Sequence, residues 1–393
     1  MKKTLAAVAV LGAFAGSTLA ADVQLYGIVD TGLAYVHGDA DGLGEDFDSF
    51  SMESGQGSGS RWGIKGTEDL GNGLTVGFIL EDGFNTDDGS ESGVMFNRES
   101  SLFIQGGFGK LAFGRMGALN NGQSSWSKIG MINAFGTSYG EYTARVDRVL
   151  TTAAQWDNMI AYETPDFVGF KVYAQYAMGN QVTGTNEDGD SVTYGDENES
   201  SSDRFYAIGA TYNNGPFAAY LAVDSINYSS IDADGNPYDQ DDSLTVTLGG
   251  SYDFEVVKLY LGAQYFDEMK LSTLGGIMAD VDVAWNGEKI KGYGITFSGD
   301  APLWGGKALF GLGYVDAESA DSFEDAQTGN QSFDFKRYVV SVGYDYPFSK
   351  RTDVYAVASY MQDQWETTTA SGTTGVDADP SAYSVIVGLR HRF

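Results

Sequence analysis

The chain has 393 residues, of which 54 are acidic and 23 basic, and its formal net charge is −31 at pH 7. A surface this acidic repels phosphate backbones, which argues against nucleic acid as a partner. Cysteine is absent, so a disulfide framework and thiol chemistry are both excluded.

The first twenty residues have the pattern of an export signal. Lys2 and Lys3 precede an apolar run that extends to Ala15, and Thr18-Leu19-Ala20 supplies small residues before a cleavage site. The apolar run is shorter than the ~18 residues that a spanning helix needs, which disfavours a membrane anchor. We therefore expect residues 1–20 to be a signal peptide.

From Asp22 onward, the sequence repeats one unit of an alternating run, a long polar loop, a second alternating run and a short turn. In the first run, Val23, Leu25 and Val29 share one face. The last run, residues 383–393, likewise has apolar side chains at alternate positions and polar ones between them. Period two is the signature of a strand with one apolar and one polar side.

The turns and loops alternate regularly along the chain. Short turns are predicted near 69–73, 106–109, 164–169, 213–216, 253–257, 299–306 and 346–352. Longer polar segments lie at 37–59, 84–95, 115–154, 178–203, 225–242, 266–288, 317–333 and 362–381. Seven turns and eight loops connect sixteen strands.

Alternating segments of roughly ten residues, with short turns at one end and long loops at the other, are typical of transmembrane barrels. Closure of the sheet gives every backbone N–H and C=O a partner, as lipid requires. We predict that residues 21–393 form one all-β domain, a 16-stranded antiparallel transmembrane β-barrel with long extracellular loops and short periplasmic turns. The alternative, a soluble sandwich or propeller, would have shorter strands and connections of more even length.

The third long segment, residues 115–154, differs from the others because it is not acidic and contains many apolar side chains, among them Trp126 and Ile129. Apolar residues in so long a loop indicate that it packs inside something, so we assign this segment as the candidate constriction loop. A surface loop is the alternative. The charged residues expected to act there are Arg115, Glu141, Arg145, Asp147 and Arg148.

The second strand adds basic groups to the predicted lumen. Arg61 and Lys65 share one face, opposite Trp62 and Ile64. Ion selectivity in channels depends on the charge and the diameter at the narrowest point. We therefore expect Arg61 and Lys65 to point into the lumen as candidates for the pore constriction, and the alternative for Arg61 is a solvated charge on the wall.

Five further stretches of the chain stand out as motifs. They are Ser60-Arg-Trp-Gly-Ile-Lys-Gly-Thr-Glu-Asp-Leu-Gly-Asn-Gly-Leu74, Phe96-Asn97-Arg98, Gly107-Phe-Gly-Lys-Leu-Ala-Phe-Gly-Arg115, Thr164-Pro-Asp-Phe-Val-Gly-Phe170 and Gly388-Leu-Arg-His-Arg-Phe393. These stretches resemble the Gram-negative trimeric porins of neisserial and β-proteobacterial type. The resemblance runs from Val23 to Phe393 and implies a sixteen-stranded outer-membrane barrel, a homotrimer and an inward-folded third loop.

The same resemblance implies eyelet arginines on the barrel wall, at Arg61 and Arg98. Simple alternation would place Arg98 on the apolar face with Leu102, so we expect either a bulge or a position at the rim. Many family members also carry an arginine just before the Asp-Asn pair of strand six, where this chain has Gln155-Trp156. A strong anion preference is therefore in doubt.

The expected function is a general-diffusion porin of the bacterial outer membrane, which passes ions and small hydrophilic solutes and contacts lipid and lipopolysaccharide. The alternatives are a substrate-specific channel and a non-conducting adhesin or structural barrel. We expect no enzyme, because the two histidines, His37 at the start of a loop and His391 on the lipid-facing side, lie far apart in a barrel.

Five outer loops, 37–59, 178–203, 225–242, 317–333 and 362–381, carry 26 acidic residues and no lysine or arginine. An acidic mouth concentrates cations, most strongly at low salt. The segment 232–239 weakly resembles a calcium-binding loop, with Asp232, Asp234, Asn236 and Asp239 as candidate ligands. Apart from loosely bound Ca²⁺ at these loops, no cofactor is expected.

Overall fold

A computed structural model describes residues 22–41, 43–179, 182–185, 191–231, 240–275, 289–321, 332–368 and 374–393. The predicted signal peptide and the predicted calcium loop at 232–239 lie outside the described residues. Within the described part of the chain, no helix is long and apolar enough to cross a membrane.

The described residues form twenty β-strands and short 3-10 turns at Ile129–Ile132, Val146–Arg148 and Leu271–Leu274. The strands are β1 (Asp22–Asp39), β2 (Phe47–Ser54), β3 (Arg61–Gly71), β4 (Leu74–Gly83), β5 (Glu99–Gly106), β6 (Gly109–Gly117), β7 (Gln155–Glu163), β8 (Phe170–Ala177), β9 (Val182–Thr185), β10 (Ser191–Gly195), β11 (Arg204–Asn214), β12 (Phe217–Asn227), β13 (Leu244–Asp253), β14 (Lys258–Lys270), β15 (Lys289–Leu303), β16 (Gly306–Ser319), β17 (Ser332–Pro347), β18 (Thr352–Thr368), β19 (Thr374–Ala378) and β20 (Ser381–Arg392).

These strands close into an antiparallel barrel with sixteen positions. β2 and β3 share one position, because β1 pairs with β2 over residues 31–38 and with β3 over residues 22–28. β19 and β20 share another position beside β18. Pairing of β20 with β1 closes the sheet, and β9 and β10 form a separate hairpin. The predicted sixteen-stranded barrel is confirmed.

The short turns lie where the sequence places them, but several strands are longer than predicted. β1 continues to Asp39 and β2 begins at Phe47, so the first loop is much shorter than the predicted 37–59. Antiparallel pairing persists here because Tyr35 and the residues around it have partners in both β20 and β2. The turn predicted at 299–306 is shortened in the same way, since β15 extends to Leu303.

Alternation along β20 is as predicted. Val385, Val387 and Leu389 are exposed on the outer face, whereas Ile386 and Arg390 are buried on the inner face. An apolar exterior and a polar interior are what a membrane barrel requires, since lipid surrounds it and water fills it.

Aromatic side chains lie on the outer face of the barrel near strand ends. The rings of Tyr35 and Tyr383 lie 6.0 Å apart on the outer face, and Tyr338 is exposed on the same face. Such rings suit the membrane interface because each has an apolar body and a polar tip. Trp365, near the end of β18, is by contrast buried, with its ring 4.5 Å from that of Phe335. Its position on β18 faces inward.

Candidate pore constriction

The third loop, residues 118–154, lies against the inner face of the barrel. The side-chain amide of Asn133 donates a hydrogen bond to the hydroxyl of Thr296 on β15 at 2.6 Å. The backbone N–H of Ala144 donates one to the hydroxyl of Ser341 on β17 at 2.8 Å. The loop therefore lies along the inside of the wall opposite its own root, as the inward-folded loop of the prediction requires.

Glycines on the wall make room for the apolar side chains of this loop. A Cβ at Gly262 would lie 2.9 Å from the Ile132 side chain, and one at Gly311 would lie 2.9 Å from the ring of Phe135. Ile132 and Phe135 are fully buried as a result. The apolar residues that distinguish this loop in the sequence are thus explained by packing against glycines of the wall.

The tip of the loop is fixed by contacts on two sides. The hydroxyl of Tyr139 donates a hydrogen bond to Asp345 Oδ2 on β17 at 2.5 Å. The backbone N–H of Tyr139 donates to the carbonyl of Gln56 at 2.5 Å. Gly140 follows with φ +92°, and its Cα hydrogens point at Ile386 on β20, where no Cβ would fit.

Gln56 belongs to an inward detour, residues 55–60, that separates β2 from β3. Gly55 begins the detour with φ +68°. The N–H of Gly57 donates to the hydroxyl of Tyr355 at 2.8 Å, and Arg390 Nη1 donates to the carbonyl of Gly57 at 2.9 Å. Sequence reasoning missed this element, although three glycines in six residues are a signal that the strand is interrupted.

Arg61 and Arg98 share one carboxylate on the wall. Arg98 Nε lies 2.7 Å from Glu81 Oε1, and Arg61 Nε lies 3.7 Å from Glu81 Oε2. Arg98 also donates to the side-chain carbonyl of Gln123 in the third loop at 3.0 Å. The Arg61 side chain is 25% exposed and that of Arg98 only 9%. Arg61 is therefore the more accessible of the two charges.

The inward position of Arg98 has a local cause. β5 begins at Glu99, so Arg98 precedes the alternating strand and is not bound by its parity. Phe96 has φ +57°, which turns the chain just before this point. The backbone N–H of Arg98 donates to the carbonyl of Glu81 at 3.3 Å and holds the residue at the edge of the sheet.

Lys65 and Arg115 also lie on the wall. Lys65 is exposed, with its ammonium 4.9 Å from the centroid of the Tyr26 ring. Arg115 Nη1 lies 2.6 Å from Asp157 Oδ1, and Arg115 Nε donates to the carbonyl of Asn97 at 2.8 Å. Asp157 directly follows Trp156, the position at which many family members were expected to carry an arginine. In this chain Asp157 pairs with Arg115 instead.

The remaining predicted residues form a cluster within the loop. Arg145 makes two hydrogen bonds of 2.5 Å with Asp147, and Arg148 Nε donates to the carbonyl of Glu141 at 2.7 Å. Burial raises the pKa of the Asp147 carboxyl, but the charges of Arg145 and Arg148 outweigh burial and hold this pKa below its usual range. Arg148 is buried, whereas the Glu141 side chain is 61% exposed.

A buried ion pair that sequence reasoning missed supports this cluster. Arg337 and Asp363 form two hydrogen bonds of 2.7 Å, and both side chains are 0% exposed. Arg337 Nη1 also donates to the carbonyl of Arg148 at 3.2 Å and to that of Gly275 at 2.7 Å. Asp363, counted from the sequence among the charges of the acidic mouth, is therefore an internal anchor of the third loop.

Comparisons with known proteins agree with this architecture. A family model described as Gram-negative porin matches residues 6–364. An outer membrane porin protein of Bordetella pertussis is 34% identical over the full length of both chains. The anion-selective porin from Comamonas acidovorans is 28% identical, with a TM-score of 0.66 over 95% of this chain and 100% of that one.

A second solved structure bears on the fold alone. An in-vitro folded outer membrane protein of Vibrio cholerae, in a trimer form, is 17% identical, with a TM-score of 0.59 over 94% of this chain and 99% of that one. The full-length match to a curated porin and the family model decide the relationship. The chain belongs to the Gram-negative porin family and is a channel of the bacterial outer membrane.

Proposed function

We propose that the barrel is a general-diffusion channel whose eyelet is formed by the third loop and the wall arginines, and that solutes are selected by size and by charge. The observation that carries this proposal is the attachment of the loop, which is tied at its tip by Tyr139 to Asp345. A loop held this firmly sets a fixed opening, and a fixed opening can exclude solutes by diameter.

The eyelet charge is best assigned to the exposed groups. Arg61, Lys65, Arg115 and Glu141 are all partly or largely exposed. They would act directly on a passing ion. Arg98, Arg145, Asp147 and Arg148 are paired and largely buried, so their fields are mostly cancelled by close partners and their role would be to hold the loop and the wall together. This separation into exposed and buried charges covers only the constriction residues predicted from the sequence.

The acidic outer loops work against the basic eyelet. The electric field of the outer loops is negative and lies at the mouth, whereas that of the eyelet is positive and lies deeper in the barrel. Salt screens the field at the mouth, because the Debye length falls from ~30 Å at 0.01 M to ~8 Å at 0.15 M. We therefore expect weak selectivity that changes with ionic strength, with cations favoured most at low salt. Lipid and lipopolysaccharide would surround the apolar outer face.

The functional unit we propose is a homotrimer. The sequence resemblance implies this assembly, and the protein from Vibrio cholerae is described in a trimer form. Chemical cross-linking of the detergent-solubilised barrel, followed by sizing, tests it directly. A ladder that ends at three copies supports the proposal, and a product that remains at one copy contradicts it.

We propose no catalytic activity. His37 is half-buried and its Nδ1 lies 3.1 Å from Asp48 Oδ1, and His391 is exposed with its Nδ1 2.9 Å from the hydroxyl oxygen of Thr352. The proposal is supported by the family, because the relatives that the chain matches are porins.

Passive diffusion is tested by reconstitution of the purified protein into liposomes and planar bilayers. Stepwise currents in KCl, together with swelling rates that fall smoothly as neutral sugars become larger, support a general-diffusion channel. A swelling rate for one sugar that is much higher than its size predicts would indicate a substrate-specific channel. The absence of current would favour an adhesin or a structural barrel.

A further inference from the structure

A cavity of about 190 Å³ lies between the tip of the third loop and the inner wall of the barrel. On the wall side it is bounded by inward-facing residues of β20, β1 and β2, including Ile386 and Phe47. On the other side it is bounded by Gln56 of the detour and by Glu141 and Tyr142 of the loop. We call this space the tip cavity.

The tip cavity carries negative charge. Glu53 and Glu141 line it, and among the described residues that line it there is no lysine or arginine. Glu53 accepts a hydrogen bond from the hydroxyl of Ser51 at 2.7 Å, which leaves its charge unbalanced. Arg148 Nη2 forms an ion pair with Glu141 Oε1 at 3.7 Å, longer than a hydrogen bond, so the Glu141 charge is only partly offset and its side chain remains 61% exposed. The cavity thus favours a cation.

The same cavity has an apolar and aromatic lining. Val36 and Ile386 form part of its floor, and the rings of Phe47 and Tyr142 contribute to its sides. Gly38 lies directly beneath the Phe47 ring, where a Cβ would collide with it. Apolar walls offer nothing to a hydrated inorganic ion, whereas aromatic faces attract organic ammonium groups and bury their carbon atoms.

The size of the cavity limits the ligand further. Pockets for drug-sized molecules occupy ~300–1,000 Å³, so this one has room for about one ring with a short ammonium arm. The loop tip beside the cavity is also held in place, because Tyr139 is hydrogen-bonded to Asp345 and to the carbonyl of Gln56. Tyr139 lies only two residues before Glu141, which lines the cavity. The groups that would bind the ligand are therefore positioned in advance.

We propose that the tip cavity is a binding site for small organic monocations, which it retains during passage, with Glu53 and Glu141 as the anionic groups and Phe47 and Tyr142 as the aromatic ones. The inference rests on the channel function, since it deepens the selectivity of that channel. Cations with an aromatic or alkyl body would be held, while neutral molecules of the same shape would pass without delay.

The test uses benzylamine, which is protonated at pH 7, and benzyl alcohol as its neutral counterpart. Single-channel KCl currents of the full-length barrel are recorded with each compound, for the wild type and for the double variant Glu53→Gln/Glu141→Gln. The matched control is Asp88→Asn, an exposed acid in the loop between β4 and β5. Calorimetric titration of benzylamine into the detergent-solubilised protein gives a second readout that does not need current.

We expect benzylamine to interrupt the current of the wild type and of Asp88→Asn. In the double variant its apparent affinity should fall about 3- to 10-fold, in line with the loss of two partly exposed ion pairs. Equal block in all three proteins, equal block by benzyl alcohol, or conduction without any block would overturn the site. If the wild type carries no current, the channel function fails instead, and calorimetry still decides the site by the same comparison.

Discussion

Tyr139 at the tip of the third loop and Asp345 on β17 are joined by a hydrogen bond of 2.5 Å, although 206 residues separate them in the chain. Both side chains are buried. This contact fixes the loop at the point where it is farthest from its own root, so it determines the width of the opening more directly than contacts near the root.

Removal of the hydroxyl tests that role. Tyr139→Phe leaves Asp345 with one fewer donor in a buried position, which should cost about 1–3 kcal/mol of stability and loosen the loop tip. We expect a lower guanidinium midpoint in detergent and a noisier open-channel current. Tyr346→Phe is the control, because Tyr346 is exposed on the outer face and lies on the same strand. Identical current noise in the two variants would contradict the assignment.

Packing of the loop against wall glycines gives a second prediction. In Gly311→Ala the new Cβ would lie 2.9 Å from Ala144 and from the ring of Phe135, so the loop must move toward the lumen. We expect lower single-channel conductance and a stability loss of about 1–3 kcal/mol, as overpacking commonly causes.

The matched control is Gly343→Ala, on the inner face of the adjacent strand. A Cβ there would have its nearest neighbour at 3.2 Å, in Val357 of the wall. This variant should retain the conductance of the wild type. A fall of the same size in both variants would mean that loop displacement is not the cause.

The buried pair of Arg337 and Asp363 gives a third prediction. Arg337→Met removes the guanidinium and leaves a buried carboxylate, which should destabilise the barrel by about 3–5 kcal/mol. The double variant Arg337→Met/Asp363→Leu removes both charges and should lose less stability than Arg337→Met alone. Guanidinium unfolding of the three proteins decides the point. Additive losses would mean that the two residues do not act as a pair.

The lowered pKa of Asp147 gives a prediction about pH. The folded protein binds this proton more weakly than the unfolded chain does, so the ion pairs with Arg145 and Arg148 contribute fully above the ordinary value of 3.8. Their contribution is lost as the pH falls through the lowered pKa of the folded state. Conductance should therefore be insensitive to this group between about pH 5 and pH 8.

Asp147→Asn is the comparison that isolates the effect. The asparagine cannot titrate, so any change in the conductance of the wild type below about pH 4 that arises from Asp147 should be absent from the variant. An acid transition of equal size in both proteins would assign the change to other groups.

The strand pattern was predictable because it depends on local alternation. Val385, Val387 and Leu389 face outward for reasons visible within eleven residues of sequence. The Arg337 to Asp363 pair was not predictable in the same way, because it depends on the register between β17 and β18 and on a loop that arrives from residue 148. A single charged residue in a sequence does not indicate which distant residue will be its ion-pair partner in the folded protein.

The residues of the candidate constriction differ in the same way, since some depend on local sequence and others on distant contacts. Arg61 could be named as a candidate because its strand alternates regularly and because its motif resembles that of a known family, and its role at the constriction stays a prediction. The detour that contains Gln56 was missed because its inward course depends on bonds to Tyr355 and Arg390, which lie about 300 residues away. For Arg98, the alternation of strand faces did not give the position of the side chain, because β5 begins one residue later, at Glu99.

The most direct test of the account is the reversal potential across a planar bilayer under a KCl gradient, measured at low and at high salt for the wild type and for Arg61→Gln. We predict a small reversal potential for the wild type that shifts toward cation preference at low salt, and a further shift toward cations in Arg61→Gln at both salts. A strong anion preference of the wild type at both salts, or a reversal potential unchanged in Arg61→Gln, would contradict a basic eyelet beneath an acidic mouth.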